Sequence, residues 1–283
     1  MDDALIAVTK VGMLAFVVAG MLSMGLRLTV RSIAAPLRDV RLVVGLVLAN
    51  FVVVPGLVVL LTKVLPMDDA TGSALVLLGC CAGAPFLPTL AKLSRSDPAL
   101  AVGSMVLLMV LTIVYAPLVV PAVIEGATVS AGDIARSLVV LMLVPLVIGL
   151  LVRARYPEVA DLWDDGVGKL STLGLGIGLV AGLVVSWQDV LSSIGSWIFV
   201  GTLLLLVVGL VVGYLAATGR PGGDKQLVAL GAAQRNISAA LVIAVSLGDD
   251  VVVRTLVAAL IVPILLILLA AELGKRHEAR AGA

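Results

Sequence analysis

Charge is what this 283-residue sequence has least of. Only 13% of it is Asp, Glu, Lys or Arg, against 61% hydrophobic residues, whereas about a quarter of a soluble globular domain is charged. Mean hydropathy is +1.22. So little charge excludes a surface facing water all round. Lipid is the solvent that fits, and in lipid only helices or closed barrels satisfy every backbone N–H and C=O. The ten-residue alternation of a membrane barrel is absent. The apolar runs are about 20 residues long, as membrane helices require. Aromatics are scarce as well, at three Tyr, three Trp and four Phe, and the net charge is +1. With no basic arm and few rings to stack on bases, the chain has no footprint for nucleic acid.

Catalytic and metal-binding side chains are equally thin. The only cysteines, Cys80 and Cys81, are adjacent in an apolar run, which argues against a structural disulfide. The single histidine, His277, lies in the C-terminal tail. There is no HExxH and no central carboxylate pair, so the convergent groups of an intramembrane enzyme are missing. We expect no enzyme activity, no cofactor and no metal centre. No signal peptide is read at the start: the run from Ala4 to Leu28 is too long for a signal core and lacks a basic beginning. It reads as a first membrane helix.

What is present is a series of nine apolar segments, at roughly 4–28, 40–63, 70–92, 98–123, 134–153, 167–186, 194–217, 224–247 and 250–273. No soluble domain interrupts them, so residues 1–283 read as one all-α membrane domain of nine transmembrane helices. Bases gather in alternate loops: Arg27, Arg31, Arg38 and Arg41; Lys92 and Arg95; Arg153, Arg155 and Lys169; Arg220 and Lys225; Lys275, Arg276 and Arg280. The intervening loops carry Asp68, Asp69, Glu125, Asp133, Asp189, Asp249 and Asp250. By the positive-inside rule the basic side is cytoplasmic. This predicts a multi-pass protein of the cell membrane with its N-terminus outside and its C-terminus inside.

Two segments are broken. The third contains Gly79, Gly83, Pro85 and Pro88 within ten residues, and each proline removes a helical N–H and clashes with the preceding turn. The bland reading is a kink. The sharper one is an unwound helix lining a cavity, which is tolerated at membrane depth only where protein or water satisfies the backbone. The eighth segment holds Gln234, Arg235 and Asn236 at its middle. An Arg at the bilayer centre costs at least ~2.5 kcal/mol, so such residues face an interior and a partner. Snorkelling is awkward, because about ten apolar residues lie on either side. The third and eighth segments cross in opposite directions. Interrupted helices in corresponding places of two halves are the sign of an inverted-repeat transporter, with its site where the breaks meet. Half-helix N-termini there attract anions. The candidate substrate-binding residues are therefore Pro85, Pro88, Thr89, Gln234, Arg235 and Asn236.

Four stretches, Met24-Gly25-Leu26-Arg27-Leu28, Ala49-Asn50-Phe51-Val52-Val53-Val54-Pro55, Gly79-Cys80-Cys81-Ala82-Gly83 and Arg235-Asn236, occur in an order and at a spacing that resemble the bile acid:sodium symporter family. The resemblance covers nearly the whole chain. It implies a panel domain and a core domain, taken here as helices at about 4–63 and 134–186, and at about 70–123 and 194–273. The core would hold two crossed discontinuous helices working by alternating access. The nine-helix count resembles the family's animal members. The implied substrates are organic anions, from bile acids to small acids such as pyruvate and pantoate.

The same resemblance puts sodium in question. Positions where the family's first sodium site has side-chain oxygens correspond to Leu87, Pro88, Ala101, Met105 and Gly231 here. Those of the second correspond to Asn50, Gly231 and Arg235. A hard cation needs several oxygen ligands to replace its water, and this set offers one amide and a guanidinium. Arg235 is expected to replace the ion by bonding Asn50 and backbone carbonyls, or to bind a substrate carboxylate in bidentate fashion. Asn50 and Gly231 are thus carried as ion-site positions, Arg235 and Asn50 are expected within hydrogen-bond reach, and sodium coupling is not expected. The alternatives are a sensor or partner protein built on the same fold, and a sodium symporter that uses backbone carbonyls. A metal permease using Cys80 and Cys81 is disfavoured, because the family resemblance already places a cysteine pair there.

Overall fold

The computed structural model describes residues 2–29, 31, 34, 38–84, 86–124, 131–185 and 187–281. All regular structure among these residues is helical. Helix α1 spans Asp2–Arg27 and α2 spans Val40–Val64, with a π turn at Ala49–Val53. Asp39 starts α2 by accepting a hydrogen bond from the Leu42 N–H at 3.0 Å. Helix α3 (Asp69–Cys80) starts in the same way, with the Asp68 carboxylate 2.6 Å from the Thr71 nitrogen. Such caps satisfy N–H groups that have no intrahelical partner. Helix α4 (Leu87–Ser94) ends at Arg95 in the left-handed conformation, and Asp97 caps α5 (Pro98–Val123).

The second half contains α6 (residues 131–155, with a π turn at Val139–Leu143), α7 (Pro157–Val185) and the short α8 (Trp187–Ser192). It continues with α9 (Ile198–Ala216), α10 (Gly222–Ala233), α11 (Ile237–Leu247) and α12 (Asp249–Ala281). Among the described residues six stretches, rather than the nine expected, are long and apolar enough to cross a membrane: Leu5–Arg27, Val40–Val64, Pro98–Val123, Ile198–Ala216, Gly222–Leu247 and Asp249–His277. The predicted interruptions are real breaks: helix stops after Cys80 and resumes at Leu87, and stops after Ala233 and resumes at Ile237.

Between helices in lipid there is little hydrophobic drive, so close approach and polar contacts must hold them. Helix α1 packs on α6 and α7. A Cβ on Gly25 would lie 2.3 Å from the Leu146 carbonyl oxygen, so only glycine allows that contact. Helix α9 packs on α10 in a similar manner, with Gly209 and Gly213 against the backbone of Val228–Ala233. Helix α2 packs on α3, α5 and α9, with Val58 on Gly79. Helix α12 packs on α3, α4, α9 and α11. Beyond the crossing, ion pairs tie the helix ends. Arg220 bonds Asp39 and also reaches Asp224 at 3.1 Å. At the acidic end, Arg254 bonds Ser193 and lies 3.5 Å from Asp68. Arg254 is a base that counting loops alone does not find, because it sits inside α12.

Candidate functional site at the helix crossing

The site begins with unpaired backbone. In α2 the Val54 N–H reaches back to Ala49 across the π turn, and Pro55 has no N–H to offer the next carbonyls. The carbonyls of Asn50 and Phe51 therefore take side-chain donors. Tyr115 on α5 donates to the Phe51 oxygen at 2.7 Å, its ring 4.8 Å from that of Phe51. The Asn50 oxygen accepts from Arg235 at 3.4 Å.

The first break, after Cys80, leaves the last carbonyls of α3 without partners in their own helix. Gly83 takes φ +78° there and lies so close to Met109 that any Cβ would collide with it. Thr112 secures the unwound stretch from both sides: its hydroxyl accepts from the Ala82 N–H and donates to the Ala82 carbonyl, each at 3.0 Å. The second break threads across the first. The Asn236 N–H donates to the Cys81 oxygen at 2.8 Å. The Asn236 side chain donates to the Gly83 oxygen at 3.2 Å and caps α11 by accepting from the Ala239 N–H at 3.0 Å. One residue thus joins both breaks and starts the second half-helix.

Arg235 is among the largest fully buried side chains, at 1% exposure. Its five N–H groups meet five protein acceptors. Nε donates to the Leu78 oxygen at 3.0 Å. Nη1 donates to Asn50 Oδ1 at 2.9 Å and to the Ala232 oxygen at 3.1 Å. Nη2 donates to the Asn50 oxygen and to the Gly79 oxygen. The expected pairing of Arg235 with Asn50 is present. Leu78, Gly79 and Ala232 belong to the last turns of α3 and α10, so the guanidinium sits at the negative ends of two helix dipoles. Every acceptor is neutral, and no described carboxylate pairs with this charge.

The other candidate positions separate. Gly231 is buried, and a Cβ there would lie 3.0 Å from the Cδ2 atom of Leu87. Leu87, Ala101 and Met105 are buried apolar residues. Gln234 is 3% exposed and its Oε1 has no hydrogen-bond partner. Pro88 is half-buried at the start of α4 and Thr89 is exposed beside it. Pro85 lies outside the described residues. Thr112 and Tyr115, which fasten α5 to the break and to the π turn, were not among the sequence candidates. Pro55, which has no N–H, is a signal in the sequence that a carbonyl near Phe51 needs a donor, but it does not say which helix supplies one. No group of three or more His, Cys, Asp or Glu suited to a metal ion occurs among the described residues.

Residues 13–212 match the sodium bile acid symporter family. The probable sodium/metabolite cotransporter BASS3, chloroplastic, of Oryza sativa subsp. japonica is 26% identical over 197 residues, 69% of this chain and 46% of that protein. The uncharacterized sodium-dependent transporter YocS of Bacillus subtilis is 26% identical over 158 residues, 54% of this chain and 47% of that protein. The chain spans about half the length of the curated relatives it matches. With most of the sequence matched and the two broken helices joined at their breaks, this chain is a multi-pass membrane protein belonging to the sodium bile acid symporter family.

Proposed function

We propose that this chain is a secondary transporter of a small organic anion that works without sodium. The observation that carries the reading is the buried guanidinium bonded five times to neutral acceptors. A cation arriving about 4 Å away would meet a repulsion on the order of 4 kcal/mol at the effective dielectric of a protein site. The carbonyls that could have held it, those of Leu78, Gly79 and Ala232, already accept from Arg235. That weighs against an ion site made of backbone oxygens.

The same uncompensated charge favours an anion nearby. All five N–H groups are in use, so the guanidinium attracts the substrate through its field rather than by a bidentate clamp. Contacts fall to the starts of α4 and α11, beside Pro88, Thr89 and Asn236, while the free Gln234 Oε1 accepts from a hydroxyl of the substrate; Pro85, also a candidate, lies outside the described residues. The chain crosses the membrane nine times in this reading, N-terminus outside. Helices α1, α6 and α7 form the panel and the remaining long helices the core. Helix α2 moves to the core, unlike the division at residue 63 expected from the sequence, because its partners are α3, α5 and α9. Uptake of labelled pyruvate, pantoate and taurocholate into proteoliposomes, in sodium and in choline, tests the proposal. Equal uptake of one of them in both salts supports it. Uptake that requires sodium refutes the charge argument, and uptake of none of them removes these anions as substrates.

A further inference from the structure

Away from the crossing, α9, α10 and α12 enclose an open-sided groove of about 390 Å³ on the outer surface of the bundle. Its walls are hydrocarbon, chiefly Leu210 and Leu215 of α9 and Leu269 and Leu273 of α12. Two polar residues interrupt them. Tyr214 carries the Lys225 ammonium over its ring, 5.6 Å from the centroid, and Gln226 has a buried side-chain oxygen with no hydrogen-bond partner.

The charges at this end are unevenly committed. Arg220 is tied to Asp39 and Asp224, and Arg276 to Glu272. Lys225 makes no ion pair among the described residues. It lies four residues, one turn of α10, before the groove residue Ala229. His277 lies one turn beyond Leu273 on α12, and its imidazole is about 4 Å from where a Cβ on Gly223 would be. The groove is therefore apolar along its length and cationic at its mouth, with one unused acceptor just inside.

We infer that this groove binds one acyl tail of an anionic phospholipid. Its phosphate rests on Lys225 with His277 beside it, and a hydroxyl of a glycerol-type headgroup donates to Gln226 Oε1. A hydrocarbon wall facing the membrane is covered by lipid tails whatever the headgroup. Selection comes from the mouth, where a basic residue held at the interface attracts anionic lipid and the ring keeps the ammonium in place. A choline headgroup has no hydroxyl for Gln226 and brings a second cation towards Lys225.

The test is native mass spectrometry of the purified full chain after exchange with dioleoyl phosphatidylglycerol or dioleoyl phosphatidylcholine. Wild type retains phosphatidylglycerol in preference. Lys225→Glu lowers that retention about tenfold relative to phosphatidylcholine, whereas Lys275→Glu, on the far side of α12, leaves it unchanged. Val211→Trp, at an exposed wall position, lowers retention of both lipids by filling the groove. Equal retention of the two lipids by wild type overturns the inference. So does wild-type retention in Lys225→Glu, or an equal loss in Lys275→Glu. Thermal unfolding in the same detergent shows that each variant is folded, and both charge variants are surface changes that leave the core intact.

Discussion

Around Gly231 the crossing is filled with hydrocarbon, and around Asn50 it is filled with a guanidinium. These are the two places where the family resemblance looks for ion ligands, and they have been closed by opposite means. At the first, Leu87 lies where a side chain on residue 231 would project, and the corresponding positions Leu87, Ala101 and Met105 are buried apolar residues. At the second, Arg235 takes over the carbonyls and the amide that would have faced an ion. Hydrocarbon filling is self-sufficient, so changing it costs packing alone. Guanidinium filling is a network in which each member satisfies another, so removing one part orphans several buried groups.

The comparison breaks most visibly at Arg235. Arg235→Ala strands Asn50 Oδ1 and the carbonyls of Leu78, Gly79 and Ala232, and unsatisfied buried groups cost about 1–3 kcal/mol each. Even with partial relaxation, a loss of 4 kcal/mol or more, on the order of the largest single-residue effects, is expected in thermal unfolding of the detergent-solubilised protein. Arg235→Lys recovers only part of this, since an ammonium has three donors without the planar fork.

At the hydrocarbon-filled site the next largest effect comes from adding what it lacks. Gly231→Glu drives a side chain into Leu87 and buries a carboxylate, costing about 3 kcal/mol. Adding Leu87→Ala makes room and returns part of that loss. A double-mutant cycle measures the coupling, and strictly additive effects would show that the two residues do not share the space.

Asn50 separates stability from charge. Asn50→Ala removes the amide acceptor and costs about 2 kcal/mol. Asn50→Asp keeps an acceptor and places a negative charge against the guanidinium. It gives up the hydrogen bond that the Asn50 amide nitrogen donates to the Leu46 carbonyl at 3.0 Å, at a cost of about 1 kcal/mol, and is expected to fold while losing anion binding, measured by ligand-induced thermal stabilisation. Retained binding in Asn50→Asp would show that the net positive charge does not hold the substrate.

The smallest effects lie at the rims of the crossing. Tyr115→Phe frees the Phe51 carbonyl at a cost of about 1 kcal/mol. At the end of α2, hydrogen bonds from the Leu42 N–H and from Arg220 hold the Asp39 carboxyl below the ordinary carboxylate range. A carboxylate with a lowered pKa stabilises the fold above its unfolded pKa, and that contribution disappears as pH falls through the folded value. Asp39→Asn therefore lowers stability at neutral pH and flattens the acid side of the stability–pH profile, so that variant and wild type converge as pH falls.

The breaks were legible because proline removes a backbone N–H wherever it falls, because glycine loosens the helix around it, and because Gln234-Arg235-Asn236 has no other reason to sit inside an apolar run. The pairing of Arg235 with Asn50 across 185 residues was legible only through the family resemblance, since no spacing rule joins α2 to α10. The rest of the guanidinium's partners were not legible. Leu78, Gly79 and Ala232 act through carbonyl oxygens that every residue type carries. Thr112 likewise looks like any hydroxyl in a membrane helix until the break beside it is placed. The packing partners of α2 were also hidden, because helix partners in lipid depend on local fit, such as Val58 on Gly79, rather than on a hydrophobic pattern.

One measurement bears most directly on the claim that Arg235 stands in for an ion: thermal unfolding of wild type and Arg235→Gln in sodium and in choline. Wild type should unfold at the same temperature in both salts. Arg235→Gln should be less stable in choline and gain stability as sodium rises, because the vacated carbonyls and Asn50 can then bind the ion and stabilise the fold by mass action. Sodium-dependent stabilisation of wild type, with none in the variant, would contradict the account.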